Sequence, residues 1–281
     1  MKVSYLLPEF GKTGGSIVLY NFMDQLVKRG YEVFAITPFM KVNWKVGIWK
    51  ELILDSSHKR KLTRRISSKL VSVIASRNKT IKKLKDVLNE NQFKKGLLKN
   101  WVQSDITIAT YYLTAEVAYS LSNKTKSFYH MQHFEEIFFT NYEDRLKARE
   151  TYFYPLIRIA NSKWLKNLLD KNFDPQSYLL NPGIDTSIFR CSDDYPKKYV
   201  EKKNWTIVSF FDEVREWKGF NDAVEAVKLA RKNLASSGIT ITWKVFGLNE
   251  PRRKYDTEFE YVGRVFNETL AQLYRESDLV L

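Results

Sequence analysis

Two adjacent glycines, Gly14 and Gly15, stand between an apolar run from Val3 to Leu7 and a segment of helical spacing from Ser16 to Gly30. Glycines at such a place let backbone N–H groups approach an anion at a helix N-terminus, where the helix dipole also favours negative charge. Phosphate binding is the chemistry this suggests, although a Gly-Gly pair also serves as a plain tight turn. Farther along, His130, Gln132 and His133 fall in Lys126–His133, a run of strand composition. Histidines at the carboxyl end of a parallel strand face the ligand crevice of an open α/β sheet and titrate near neutral pH. They can bond a hydroxyl or offset phosphate charge; the plain alternative is a strand-end histidine satisfied by backbone. Ser162 precedes Lys163–Leu169 where a helix N-cap belongs, with room for a ligand contact besides. Neither a histidine partner nor an oxyanion hole is suggested for it, so a nucleophile is not the reading. With three histidines and one cysteine, only 130 and 133 being close, no zinc ligand set forms.

These residues need a frame. The loop Gly11-Lys12-Thr13-Gly14-Gly15 lacks the G-x-G-x-x-G spacing of dinucleotide sites. Strand, glycine turn, amphipathic helix ending at Gly30, and the strand Tyr31–Thr37 make one βαβ unit, the start of a doubly wound α/β domain. The rhythm returns with a strand at Asp105–Thr110, a helix from Thr114 to Leu121, and strands at Lys126–His133, Leu156–Ser162 and Tyr178–Leu180. The polar stretch Cys191–Asn204 reads as a linker. A second α/β unit follows: strand Trp205–Phe211, loop Asp212–Gly219, a helix from Phe220, strands Ile239–Phe246 and Phe259–Val262, and a helix at Asn267–Arg275.

A chain of 281 residues with 44% hydrophobic and 15% aromatic content is long enough, and apolar enough, for two cores. Cys191 is its one cysteine, so no disulfide forms within the chain and a reducing compartment suits it. Met1 runs straight into a strand, without a signal pattern, and no stretch of about eighteen uncharged apolar residues occurs. The expectation is a cytoplasmic protein whose membrane contact, if any, is peripheral, at the inner face. The net charge of +14 is concentrated: residues 56–100 hold fourteen Lys or Arg against Asp86 and Glu90. Leu62, Ile66, Leu70, Val73 and Ile74, then Ile81, Leu84, Val87 and Leu88, lie there at helical spacing. Such a basic helix can rest on an anionic membrane surface, or its stripe can pack on the domain with the charges solvated. Nucleic acid fits less well, because Trp44, Trp49, Phe93 and Trp101 flank the basic run instead of interleaving with it.

The opening βαβ unit, Asn181-Pro182-Gly183-Ile184-Asp185-Thr186-Ser187-Ile188-Phe189 and Glu216-Trp217-Lys218-Gly219-Phe220 occur in an order that resembles the retaining glycosyltransferases of family 4. The resemblance covers nearly the whole chain except about 41–100. It implies two Rossmann-like domains of GT-B type facing a cleft: residues 1–190 on the acceptor side, with a basic helical insertion at about 41–100, a linker at 191–204, and 205–281 as a partial nucleotide-sugar-binding domain. It also implies transfer of a sugar from a nucleotide-diphospho-sugar to a glycan or lipid-linked acceptor, with no cofactor and no metal. Donor contacts fall by the resemblance to Gly14, Gly15, Arg215, Lys218, Arg264 and Val265. His130, Gln132, His133, Ser162, Asn181 and Gly183 would border the acceptor or cleft side, and no catalytic residue is assigned. Phe211-Asp212-Glu213 departs from the Gly-Arg pair that many relatives carry near that position, which puts the second donor cation in doubt. Two glutamates seven residues apart, which the family places beyond the last strand, lie past Leu281, so a truncated and inactive chain is the expectation. A non-catalytic nucleotide- or carbohydrate-binding α/β protein is the alternative, and a basic nucleic-acid-binding protein a more distant one.

Overall fold

The computed structural model describes residues 1–11, 13–49, 51–52, 79–173, 177–191, 202–247 and 249–281. The stripe Leu62–Ile74 and residues 192–201 of the linker lie outside the described residues. The chain divides into two compact units, Met1–Gly183 and Ile184–Leu281.

In the first unit, β1 (Lys2–Leu6), α1 (Gly14–Lys28) and β2 (Glu32–Ile36) form the opening βαβ, followed by the short β3 (Lys41–Asn43). Period-two alternation makes β1 and β2 two-faced. Val3, Tyr5, Val33 and Ala35 pack with Leu19, Tyr20 and Met23 of α1 on one face. Leu6 and Ile36 point to the other core. Next come α2 (Lys79–Asn100), β4 (Ile106–Ala109), α3 (Tyr112–Ser120), β5 (Lys126–Met131), α4 (Tyr142–Glu150), β6 (Ile157–Ala160), α5 (Lys163–Asn172) and β7 (Ser177–Leu179). The seven strands run in the order β3-β2-β1-β4-β5-β6-β7. All neighbours are parallel except β2 and β3. The strand order therefore reverses between β1 and β4, which opens the crevice of a doubly wound sheet at their carboxyl ends.

The carboxyl-terminal part of α2 is docked onto this unit. Leu97 is fully buried in the second core, and Asn100 donates to the Thr37 carbonyl at 3.1 Å. A Cβ added to Gly96 would lie 2.3 Å from the Pro38 carbonyl oxygen, so only glycine permits this helix to approach so closely. Glu90 pairs with Lys147 at 2.8 Å, and Lys94 pairs with Glu116. This end of the basic segment packs on the domain.

The second unit holds β8 (Asn204–Phe211), α6 (Phe220–Leu234), β9 (Thr240–Gly247), β10 (Glu260–Tyr261), α7 (Asn267–Glu276) and β11 (Leu279–Val280). Its sheet, ordered β10-β9-β8-β11, is parallel and reverses between β8 and β11. One core joins Phe211, Val245 and Trp243 to Phe220, Val224 and Val227 of α6. The other gathers Val208, Phe246 and Leu273. The buried Trp243 indole donates to Ser209 Oγ at 2.7 Å, which removes the cost of an unpaired N–H in that core. The fully buried Asp278 carboxylate accepts from Thr206 N–H at 2.8 Å and from Lys202 Nζ at 2.6 Å, fastening β11 to β8.

Candidate functional site

Gly14 and Gly15 are the first two residues of α1, capped by Thr13, whose Oγ1 accepts the Ser16 N–H at 3.2 Å. Neither glycine has a positive φ, so no left-handed turn calls for them. Around Gly14 none of the described residues lies within 4 Å of the place a Cβ would take. At Gly15 a Cβ would come 3.1 Å from Gln132 Oε1. The glycines leave the helix start bare towards open space and towards the Gln132 amide, at the switch point between β1 and β4. Backbone N–H groups in the first turn of a helix have no partner within the helix and suit an anion.

Gln132 and His133 stand beyond β5. The sequence reading carries that strand to His133, but it ends at Met131, where pairing with Ala160 of β6 stops. Asn161 Nδ2 then takes the Gln132 carbonyl at 2.7 Å and turns the chain out of the sheet. His130, the second-last residue of β5, is 1% exposed, with its ring edge-on to Phe22 of α1 at 5.2 Å. Burial pushes its imidazole down to about 4, and Nε2 has no hydrogen-bond partner among the described residues. The structure separates His130, a neutral group in the interior, from His133, which is half-buried with its ring 4.4 Å from Phe138. Ser162 caps α5 by accepting the Leu165 N–H at 3.2 Å. Asn181 and Gly183, past β7, are exposed, and Gly183 has open space around it.

Glu135, in the same stretch as Gln132, is 4% exposed and has a structural task that sequence reading missed. Its Oε2 accepts the Tyr112 N–H at 2.8 Å, closing the N-terminus of α3. Burial pushes the carboxyl up to about 8, against the lowering pull of the Tyr112 N–H.

In the second unit the loops after β8, β9 and β10 gather at the carboxyl edge of the parallel sheet. Lys218 is exposed and ends a 3-10 turn, Glu216–Lys218. Gly219 follows in the left-handed conformation, φ 72°, as the N-cap of α6, a place that favours glycine. Lys218 has no carboxylate partner among the described residues. Arg215 lies one turn before it, the Lys218 N–H donating to the Arg215 carbonyl at 2.9 Å. Its guanidinium is occupied: Nε donates to Asp212 Oδ2 at 2.5 Å, and Nη2 pairs with the same oxygen. Asp212 Oδ1 also accepts the Val214 and Arg215 N–H groups, at 3.1 and 2.9 Å. Partial burial opposes the Asp212 charge, but these bonds outweigh it and hold the carboxyl below the usual carboxylate range. The three-residue spacing of Asp212 and Arg215 was the available sequence signal for this pair. Glu213 ties the loop to the one after β9 through the Tyr255 hydroxyl at 3.2 Å and the Arg252 N–H at 3.3 Å. Arg264 is exposed with its guanidinium 4.6 Å over the Phe266 ring, while Val265 packs on the Val208–Phe246–Leu273 core. Among the described residues, no group of three or more His, Cys, Asp or Glu could hold a metal ion. No helix of the described residues is long and apolar enough to cross a membrane.

Neither a family model nor a curated protein sequence matches the chain. Solved structures do. Sucrose-phosphate synthase from Thermosynechococcus elongatus superposes with a TM-score of 0.62 at 12% identity, over 99% of this chain and 74% of that one. HepE from Anabaena, solved with UDP-glucose, gives 0.57 at 15% identity, over 100% and 73%. A UDP-forming α,α-trehalose-phosphate synthase from Burkholderia xenovorans gives 0.57 at 12% identity, over 99% and 77%. The fold is GT-B. At these identities the likeness is one of fold, and the GT-B frame is what brings each loop described above to the carboxyl edge of its sheet.

Proposed function

We propose that this chain is a retaining glycosyltransferase that takes a nucleotide-diphospho-sugar as donor and a glycan or lipid-linked molecule as acceptor. The observation that carries the reading is the bare start of α1. Gly14 and Gly15 open a helix, and no positive φ explains them. What they provide is room at an anion-binding helix terminus. The names of the fold neighbours, which include a protein solved with UDP-glucose and a UDP-forming synthase, support a nucleotide-sugar as the anion.

As the glycosidic bond to the donor breaks, negative charge builds on the leaving diphosphate. A fixed cation aimed at that charge lowers the barrier because it stabilises the transition state more than the ground state. Lys218 supplies a cation: its side chain is exposed on the loop after β8 and has no carboxylate partner among the described residues. Arg264 and Val265, after β10, lie at the same edge of the second unit and are assigned to the base end of the donor.

The test is turnover with a panel of nucleotide-sugars, comparing the parent chain, or a longer form of it that shows activity, with Lys218→Ala. The rate should fall about a hundredfold, as when one electrostatic stabiliser is removed, with the melting temperature unchanged. A rate within about twofold of the parent would take Lys218 out of the site.

A further inference from the structure

An anion site should not carry surplus negative charge, yet the loop after β8 does. Asp212, Glu213 and Glu216 stand against Arg215 and Lys218. Glu213 is turned towards the loop after β9, where the Tyr255 hydroxyl, the Arg252 N–H and the Arg253 guanidinium meet it. Asp212 is turned inward on its own loop. One of its oxygens organises the turn by accepting two backbone N–H groups, and the other takes both Nε and Nη2 of Arg215. The side chains of this pair are 10% and 34% exposed, so water screens their contact only in part.

We propose that Asp212 is an internal counter-ion that keeps Arg215 off the diphosphate, so that the loop meets its ligand with the ammonium of Lys218 alone. The proposal rests on the nucleotide-sugar reading above and deepens it. A diphosphate could recruit Arg215 only by breaking the bond to Asp212, and the attraction it would gain is offset by the charged carboxylate left behind. The device sets affinity: a loop with one available cation releases a nucleoside diphosphate product more readily than a loop with two. Product release limits turnover in many enzymes, which gives such a restraint a use.

The experiment is calorimetric titration of the full chain with inorganic pyrophosphate and, separately, with UDP, ADP and GDP. Asp212→Asn is the informative variant, because its amide oxygen still accepts the Val214 and Arg215 N–H groups while the negative charge is gone. Asp212→Ser, a shorter acceptor at the same turn, is the second variant should the first fail to fold. Either should bind pyrophosphate about tenfold more tightly than the parent, the gain from one added charge-assisted hydrogen bond. That gain should vanish in Asp212→Asn/Arg215→Gln, which has lost both charges of the pair and should bind within about twofold of the parent. The proposal is overturned if both Asp212 variants, folded, bind pyrophosphate no better than the parent, or if no variant binds it. It is also overturned if Asp212→Asn/Arg215→Gln loses tenfold against the parent, since Arg215 would then already be on the ligand. Should the pyrophosphate pattern hold while no nucleotide binds more tightly than pyrophosphate, the Asp212 inference stands and the nucleotide-sugar reading fails.

Discussion

Helices α1 and α3 start at the carboxyl edge of the same parallel sheet, on either side of the switch point, and they begin in opposite ways. At α3 the first turn is closed from within: the Tyr112 N–H is taken by the buried carboxyl of Glu135, 23 residues farther along the chain. At α1 the first two residues are glycines, and Gly14 faces open space. Both starts present the same unpaired N–H groups and the same favourable end of a dipole. At α3 a distant carboxyl takes the first N–H, whereas at α1 Thr13 caps only the Ser16 N–H and the glycines ahead of it keep the start uncovered. The second unit repeats the contrast with side chains, since Arg215 is neutralised by Asp212 while Lys218 is not. A site is thus marked by what has been left unpartnered as much as by the residue types present.

The comparison breaks most visibly at Glu135. Glu135→Leu fills the space but leaves the buried Tyr112 N–H without an acceptor, which should cost about 2 kcal/mol. Urea unfolding of the parent and the variant measures this. A loss under about 0.5 kcal/mol would mean that water or a neighbouring group closes α3 as well as Glu135 does, and the contrast with α1 would lose its basis.

Glu135→Gln sharpens the same comparison through pH. Burial holds the Glu135 carboxyl near 8 in the folded chain, against an ordinary value of about 4.3 once unfolded. The folded state therefore keeps a proton that the unfolded state has lost. The contribution to stability is fully present below about pH 4 and is lost as pH rises to about 8. Glutamine imitates the protonated acid, so the variant should flatten the fall in urea midpoint between pH 5 and 8. Equal slopes for parent and variant would show that Glu135 is ionised throughout.

How far these features were legible depends on how local their causes are. The β1–α1–β2 unit can be read from the chain because its signals are short-range: Val3 and Tyr5 alternate with Ser4 and Leu6, and Leu19 and Met23 recur one helical turn apart. Lys218 could be placed at a helix start from Gly219 next to it. A place near the carboxyl end of β5 makes His130 a crevice candidate in the sequence; what puts it in the interior is Phe22 of α1, a neighbour far away in the chain. Glu135 escaped for the same reason, its partner being distant in sequence. The Asp212–Arg215 pair is different. Its signal is local, two opposite charges three residues apart in a turn, and the same spacing also suits a guanidinium offered to phosphate, so the residue types alone do not separate the two roles.

The smallest expected effect falls at Gly14 and is the most discriminating, because stability and binding should move in opposite directions. Gly14→Ala places a methyl group where none of the described residues lies within 4 Å, on a residue already in a helix without a positive φ. No clash and no backbone strain oppose it. The unfolded chain also loses some of its freedom. Folding should therefore gain about 0.5 kcal/mol, in line with glycine replacement at compatible positions. If the bare start of α1 is there to admit an anion, the same methyl group intrudes on that approach, and pyrophosphate affinity should drop severalfold. Thermal melting and calorimetry on one sample give both numbers. A variant that is more stable and binds as well as the parent would show that Gly14 is a plain helix start, and the difference between α1 and α3 would then be one of capping alone.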